Sequence, residues 1–155
     1  MIEVPINNET EFDIPTESLR AVVQTIAADH GFSQGEISLA VIDDPTMHRL
    51  NREHLQHDYP TDVLSFVFDA DESLEGEVIA SADTAKKIAP EYEWSAESEL
   101  LLYFIHGTLH LVGHDDHEDV ARQAMRDRES HYLKSIGIQP PVGHTDRTLR
   151  EGTSA

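Results

Sequence analysis

His106 and His110 stand four residues apart in the stretch His106-Gly107-Thr108-Leu109-His110-Leu111-Val112-Gly113-His114-Asp115-Asp116-His117. On a helix that spacing stacks two imidazoles one turn apart on the same face, so both can reach a single ion. Gly113 follows three residues later. It ends the helix and lets the chain swing a third donor back over the first two. The candidates for that donor are His114, Asp116 and His117. A transition metal, zinc first, suits such a set, because catalytic zinc takes three protein ligands and leaves a place for water. A single buried histidine is ordinarily a hydrogen-bonded core residue. Two at this spacing on an apolar helix, with more His and Asp beyond a glycine, point to a metal instead. The chain has no cysteine, so thiolate ligands and disulfides are excluded and the donors must be His, Asp or Glu.

The stretch is similar in shape to the zincin pattern H-E-x-x-H-x-x-G-x-x-H. Zincins place a glutamate directly after the first histidine as general base. Here that place is held by Gly107, which cannot abstract a proton, and a standard metalloprotease mechanism is disfavoured.

The elements that must carry this stretch follow from periodicity. Ser95 caps a long helix on which Leu100, Leu101, Phe104, Ile105, Leu109 and Leu111 leave almost no polar face, so the helix is central and buried. Asp119 to Ile136 reads as a last amphipathic helix closed by Gly137. Upstream, Ile2 to Ile6 reads as an edge strand because Pro5 cannot donate to a ladder. A helix starts at Thr16 with the stripe Leu19, Val22, Val23 and Ile26, and Gly31 lies past its end. Glu36–Ile42 alternates as a half-buried strand. Asp43 to Thr46 turns into a helix over Met47–His54. Val63–Phe68 and Glu77–Ser81 read as paired strands across an acidic turn, and Ala82–Ala89 as a helix closed by Pro90. Strands and helices mix without a strict βαβ repeat. The expected fold is α+β: a small mixed sheet packed with helices around a central metal-bearing helix.

The length of 155 residues suits one domain, expected over residues 1–137. Residues 138–155, polar and carrying prolines, read as a flexible C-terminal tail. No apolar run approaches the ~18 residues of a membrane span, and Met1 to Ile6 lacks the basic and apolar regions of a signal peptide. A cytoplasmic protein without a membrane partner is expected. The net charge of −19 repels phosphate backbones over long range and argues against indiscriminate nucleic-acid binding.

Three blocks together resemble the YbeY family of metal-dependent endoribonucleases. Of the family motif H-G-x-L-H-L-x-G-[aromatic or His]-D-H, the chain supplies His106 to Asp115 almost letter for letter. Asn51, Asp58, Pro60, Thr61, Asp62, Val63, Leu64, Ser65 and Phe66 match a second block, and Gly76 to Ser81 a third. The resemblance spans roughly residues 36 to 137. It implies a hydrolase: a single-strand-specific endoribonuclease, with rRNA and the small ribosomal subunit as partners. Its place would be late rRNA maturation at the small-subunit 3′ end and ribosome quality control. It implies one zinc ion per chain on His106 and His110, His106 being also the catalytic candidate. The family's third ligand is a histidine ten residues after the first. An ungapped count puts Asp116 there, and a one-residue bulge would bring in His117; His114 falls in a variable slot, outside the ligand set or exposed. An arginine tied to RNA cleavage is expected four residues after Asn51. The chain has Leu55 there, and Arg52 is the speculative substitute. Thr61 and Ser65 are candidates to line the cleft or simply to pack the strand, and Asp62 to cap a turn. Two other functions remain open on the residues alone: another zinc-dependent hydrolase such as a peptidase, and a non-catalytic ribosome assembly factor with a structural metal.

Overall fold

The chain opens on the edge of a sheet. Two short segments, β1 (Ile2–Glu3) and β2 (Ile6–Asn8), both run parallel to β3 (Gly35–Ile42). Pro5 interrupts them because it has no N–H to give. Its carbonyl still accepts from Leu39 N at 2.9 Å, so the edge stays attached through the break. The computed structural model describes residues 1–55, 62–115, 117–147, 149 and 151–154, the last four and residues 54 and 55 by backbone alone. Asp58, Pro60, Thr61 and Asp116 lie outside the described residues, as does the side chain of Leu55.

Across the sheet, β3 pairs in parallel with β5 (Leu74–Ser81), β5 pairs antiparallel with β4 (Val63–Asp69), and β6 (Glu151–Ser154) pairs in parallel with β4. One face of β3 sends Ile37, Leu39 and Val41 into the main core. The other face carries Ala40 and Ile42, which pack with Met47, Leu64 and Ile79 in a smaller cluster. The strand is therefore buried on both sides over its second half, where the alternating sequence suggested only one. The cover is α2 (Asp44–Leu50), which brings in Met47. Beyond α2 the chain continues as a π-helical turn over Asn51–Leu55.

The helices pack mainly on the other face. α1 (Thr16–Asp29) buries Leu19, Val22, Val23, Ile26 and Ala27, the stripe read from its sequence. α3 (Ala82–Ile88) starts at a Ser81 cap and runs into a 3₁₀ turn over Ala89–Tyr92. α4 (Ala96–Leu111) is capped by the Ser95 side chain, which accepts from Ser98 N. It is buried along nearly its whole length between the sheet and α1 and α5 (Asp119–Ser135). Each of its large apolar side chains contributes roughly 1.5–3 kcal/mol when fully removed from water. This burial seats the helix firmly between the sheet and its neighbouring helices. The architecture is α+β, and among the described residues no helix is long and apolar enough to cross a membrane.

One expectation is corrected. The segment 138–155 is not a free tail in its described residues. A 3₁₀ turn over His144–Asp146 follows Gly143, His144, Arg147 and Leu149 are buried, and β6 joins the sheet beside β4. The polar composition that suggested a tail is satisfied internally: Arg147 pairs with buried Glu99, and the Glu151–Ser154 backbone pairs with β4.

Candidate metal centre

α4 carries His106 and His110 on the face turned toward α5 and toward the turn that follows. The side chain of His106 is fully buried and that of His110 partly so. Their Nε2 atoms lie 3.1 Å apart with the rings edge to face. The other nitrogen of each ring defines what these two atoms are. His106 Nδ1 is 2.6 Å from Glu129 Oε2, and His110 Nδ1 is 3.0 Å from the carbonyl oxygen of His114. A carbonyl only accepts, so His110 Nδ1 carries the proton.

Glu129 is an ionised carboxylate, so His106 Nδ1 donates as well. Burial opposes that ionisation. The hydrogen bond from His106, the contact with His144 and the charge of Arg126 outweigh it, and the carboxyl is held down at about 2. Arg126 Nη2 stands 3.3 Å from both His106 Nδ1 and Glu129 Oε2. Since the Nδ1–H of His106 donates to the nearer carboxylate, the guanidinium pairs with that carboxylate too.

In the neutral rings, both Nε2 atoms then present lone pairs to one another. Two acceptors at 3.1 Å repel unless a proton or a cation lies between them. Two imidazoles on a tetrahedral zinc at 2.0–2.1 Å stand about 3.3 Å apart, nearly this separation. The outer partners, a buried carboxylate and a backbone carbonyl, are the kind that orient metal-binding histidines. The donor set fits a transition metal.

The turn after α4 is built to supply that carbonyl. Gly113 takes a positive φ of 108°. His114 N donates back to Leu109 O at 3.0 Å, and Gly113 N to His110 O at 3.1 Å. This is the Schellman closure that a left-handed residue permits. It brings the His114 carbonyl under His110. The His114 ring is in turn 2.9 Å from His30 Nε2, and His30 Nδ1 is 2.7 Å from Ile26 O at the end of α1. Burial, then the nearby His30, Arg128 and His110, push the His114 imidazole below its ordinary value.

The remaining sequence candidates fall as follows. His117 is exposed, its backbone N–H held by the Asp115 side chain at 3.2 Å. Asp116 lies outside the described residues, and among those described no three His, Cys, Asp or Glu side chains group into a metal-holding set. Arg52 is exposed on the π-helical turn after α2. Ser65 is buried in β4 and donates to the Gly107 carbonyl at 3.3 Å, which is helix-on-strand packing. Asp62 is buried, and its carbonyl accepts from Ser81 N at 3.3 Å. Gly107 has a reason the motif did not reveal. A Cβ there would meet Val78 Cγ1 at 2.4 Å and Ser65 Oγ at 2.9 Å. The helix rests directly on β4 and β5, and a zincin-style glutamate has no room.

Sequence reasoning missed Glu129, Arg126 and His144. The only signal was positional: Glu129 sits on the same stripe of α5 as Met125, Tyr132 and Leu133, all buried.

Fold and site together define a class: an α+β protein whose buried helix offers paired imidazoles, each braced from behind, at the edge of a mixed sheet. A family model described as Endoribonuclease YbeY matches residues 5–137. Relatives named Endoribonuclease YbeY include one from Rhodopirellula baltica, 43% identical and covering 88% of this chain and 71% of its own. One from Salinibacter ruber is 37% identical and covers 86% and 94%. One from Chloroherpeton thalassium is 34% identical and covers 87% and 96%. The solution structure of TM1509 from Thermotoga maritima superposes with a TM-score of 0.61 at 24% identity, covering 88% of this chain and 89% of that one. The chain belongs to the Endoribonuclease YbeY family.

Proposed function

We propose that the chain is a single-strand-specific, metal-dependent endoribonuclease of the cytoplasm. It acts late in rRNA maturation, at the 3′ end of the small-subunit RNA, and in ribosome quality control, with the small ribosomal subunit as its partner. The observation that carries this reading is the pair of Nε2 atoms 3.1 Å apart, each backed by an acceptor at Nδ1.

One zinc ion per chain is the metal this donor set suits. His106 and His110 hold it in a zincin-like helix and turn, with Asp116 as third ligand in preference to His117. When bound, zinc polarises a phosphoryl oxygen and lowers the pKa of its water. The chain's own residues do the rest. Glu129 and the His114 carbonyl keep the protons on the two Nδ1 atoms, so both Nε2 lone pairs stay directed at the centre. α4, seated on the sheet, holds both rings still. Arg52 is the proposed cation for charge developing on phosphorus, in the absence of an arginine at Leu55. Gly107, closed off by Val78 and Ser65, leaves no place for a peptidase base.

The test is to measure the metal bound per chain and to incubate the protein with precursor small-subunit rRNA beside His110→Ala. Stoichiometric zinc and cleavage lost in the variant are expected. A wild type without stoichiometric metal ends the reading. Metal without cleavage above the variant hands it to a non-catalytic assembly factor. Titrating zinc into Asp116→Ala and His117→Ala then separates the two candidates, because only loss of the true ligand weakens binding.

A further inference from the structure

Glu129 is a buried carboxylate whose two oxygens meet different neighbours. Oε2 meets His106 and Arg126. Oε1 has a different neighbour: His144 Nε2, 3.0 Å away, an oblique electrostatic contact rather than an aligned hydrogen bond. His144 is only 2% exposed. It lies outside residues 5–137, the part the family model spans.

The segment that carries His144 is fastened to the rest of the fold. Arg147, three residues on, engages both carboxylate oxygens of Glu99 in the first turn of α4, through Nη1 at 2.8 Å and through Nη2. Such a planar two-point pair fixes direction as well as distance. The same guanidinium stacks 4.1 Å from the centre of the Tyr92 ring, and Glu99 also accepts a hydrogen bond from Trp94 Nε1 at 2.9 Å. The Arg147 carbonyl lies 3.4 Å from Nη1 of Arg126, whose other arm reaches Glu129. The C-terminal segment is thereby held to the start of α4 and to the middle of α5, with His144 between them.

A carboxylate held at one oxygen alone can rotate about its last bond. The His144 contact at Oε1 opposes that rotation and favours the orientation that presents Oε2 to His106. The His106 ring can then keep its proton at Nδ1 and its lone pair at Nε2. We propose that His144 is a positioning residue of the metal centre, seated by the C-terminal segment on the far oxygen of Glu129 so that this carboxylate sets the tautomer and orientation of His106. The proposal rests on the metal centre of the preceding section. Its consequence is that a segment outside the family match takes part in the site.

The experiment compares wild type with His144→Ala and His144→Gln, whose amide restores a donor, and with Val142→Ala, a fully exposed neighbour in the same segment, as control. Two readings are made on folded, metal-free protein. The first is the ¹⁵N–¹H imidazole spectrum, which reports which nitrogen of His106 is protonated. The second is zinc affinity by competition with a chromophoric chelator. His144→Ala is expected to mix the His106 tautomers and to weaken zinc about tenfold to a hundredfold, as loss of an outer partner does at other metal sites. His144→Gln is expected to recover most of both, and Val142→Ala to change neither. If His144→Ala does not fold, His144→Phe keeps the bulk, removes the donor and takes the same two readings. A purely structural role lowers the melting temperature while leaving tautomer and affinity per folded molecule in place, and that result overturns the proposal. A wild type that takes up no zinc defeats the metal reading, while the His106 tautomer still decides whether His144 positions it.

Discussion

Gly107 is the residue on which the approach of helix to sheet depends. Its missing side chain lets α4 lie against Val78 and Ser65, and so places His106 and His110 at the depth where Glu129 can reach the first of them. Alanine there gains about 1 kcal/mol of helix propensity but drives a methyl to 2.4 Å from Val78 Cγ1. Valine on a strand has no rotamer to move to cheaply, so the clash outweighs the gain. Gly107→Ala is expected to cost about 1–3 kcal/mol of stability, the usual range for overpacking. Adding Val78→Ala is expected to return part of it. Urea midpoints of the two variants check this, and a Gly107→Ala protein as stable as wild type refutes the steric account. At this scale the histidine pair was readable, because four-residue spacing on a helix has a geometric meaning by itself. Glu129 was not, because a glutamate on an amphipathic helix ordinarily faces water. Its own burial, with Met125, Tyr132 and Leu133 around it, shows that it points inward.

Between elements, the junction of α2, β5 and α3 is set by one carboxylate. Asp44 accepts from Ser81 Oγ at 2.5 Å, from Thr84 Oγ1 at 2.6 Å and from Lys87 Nζ at 2.7 Å. Ser81 meanwhile caps α3 by accepting from Thr84 N at 3.2 Å. Partial burial raises the carboxyl, but the bonds from Lys87, Ser81 and Thr84 outweigh it and hold Asp44 below the ordinary carboxylate value. A lowered folded value means that the stabilisation is complete above the unfolded carboxylate pKa, about 3.9. It fades as the pH falls through the folded value. Asp44→Asn is therefore expected to cost about 1–2 kcal/mol at neutral pH, a modest figure because Lys87 is exposed. The gap to wild type should narrow steadily below about pH 4. Denaturant melts across that range test the sign, and a gap that widens in acid contradicts it. Most elements were legible from period and caps: the α1 stripe, the Ser95 cap and the Gly113 stop all carry local signals. β6 carries none. Glu151–Ser154 is polar and short, and its strand state comes from pairing with β4, a partner far away in the chain.

For the whole molecule, charge is the property that most constrains an RNA-cleaving role. The chain has 11 Lys and Arg against 30 Asp and Glu. Two of the cations, Arg126 and Arg147, are buried in internal pairs with Glu129 and Glu99 and cannot meet a phosphate. A protein that grips RNA with many cations releases counterions and loses affinity steeply as salt rises. This surface should behave in the opposite way at low ionic strength. Near 0.01 M the Debye length is about 30 Å and the acidic surface repels the strand over its whole approach; near 0.1 M it is about 10 Å and the repulsion is local. The rate of RNA cleavage at limiting substrate is expected to rise across that interval at fixed metal concentration. A plateau or shallow decline should follow above it, with the turnover at saturating RNA nearly unchanged. Initial rates at graded potassium chloride, with metal occupancy checked at each point, decide the matter. A steep fall from the lowest salt upward means that the few exposed cations, Arg52 among them, cluster into a phosphate track strong enough to override a net charge of −19.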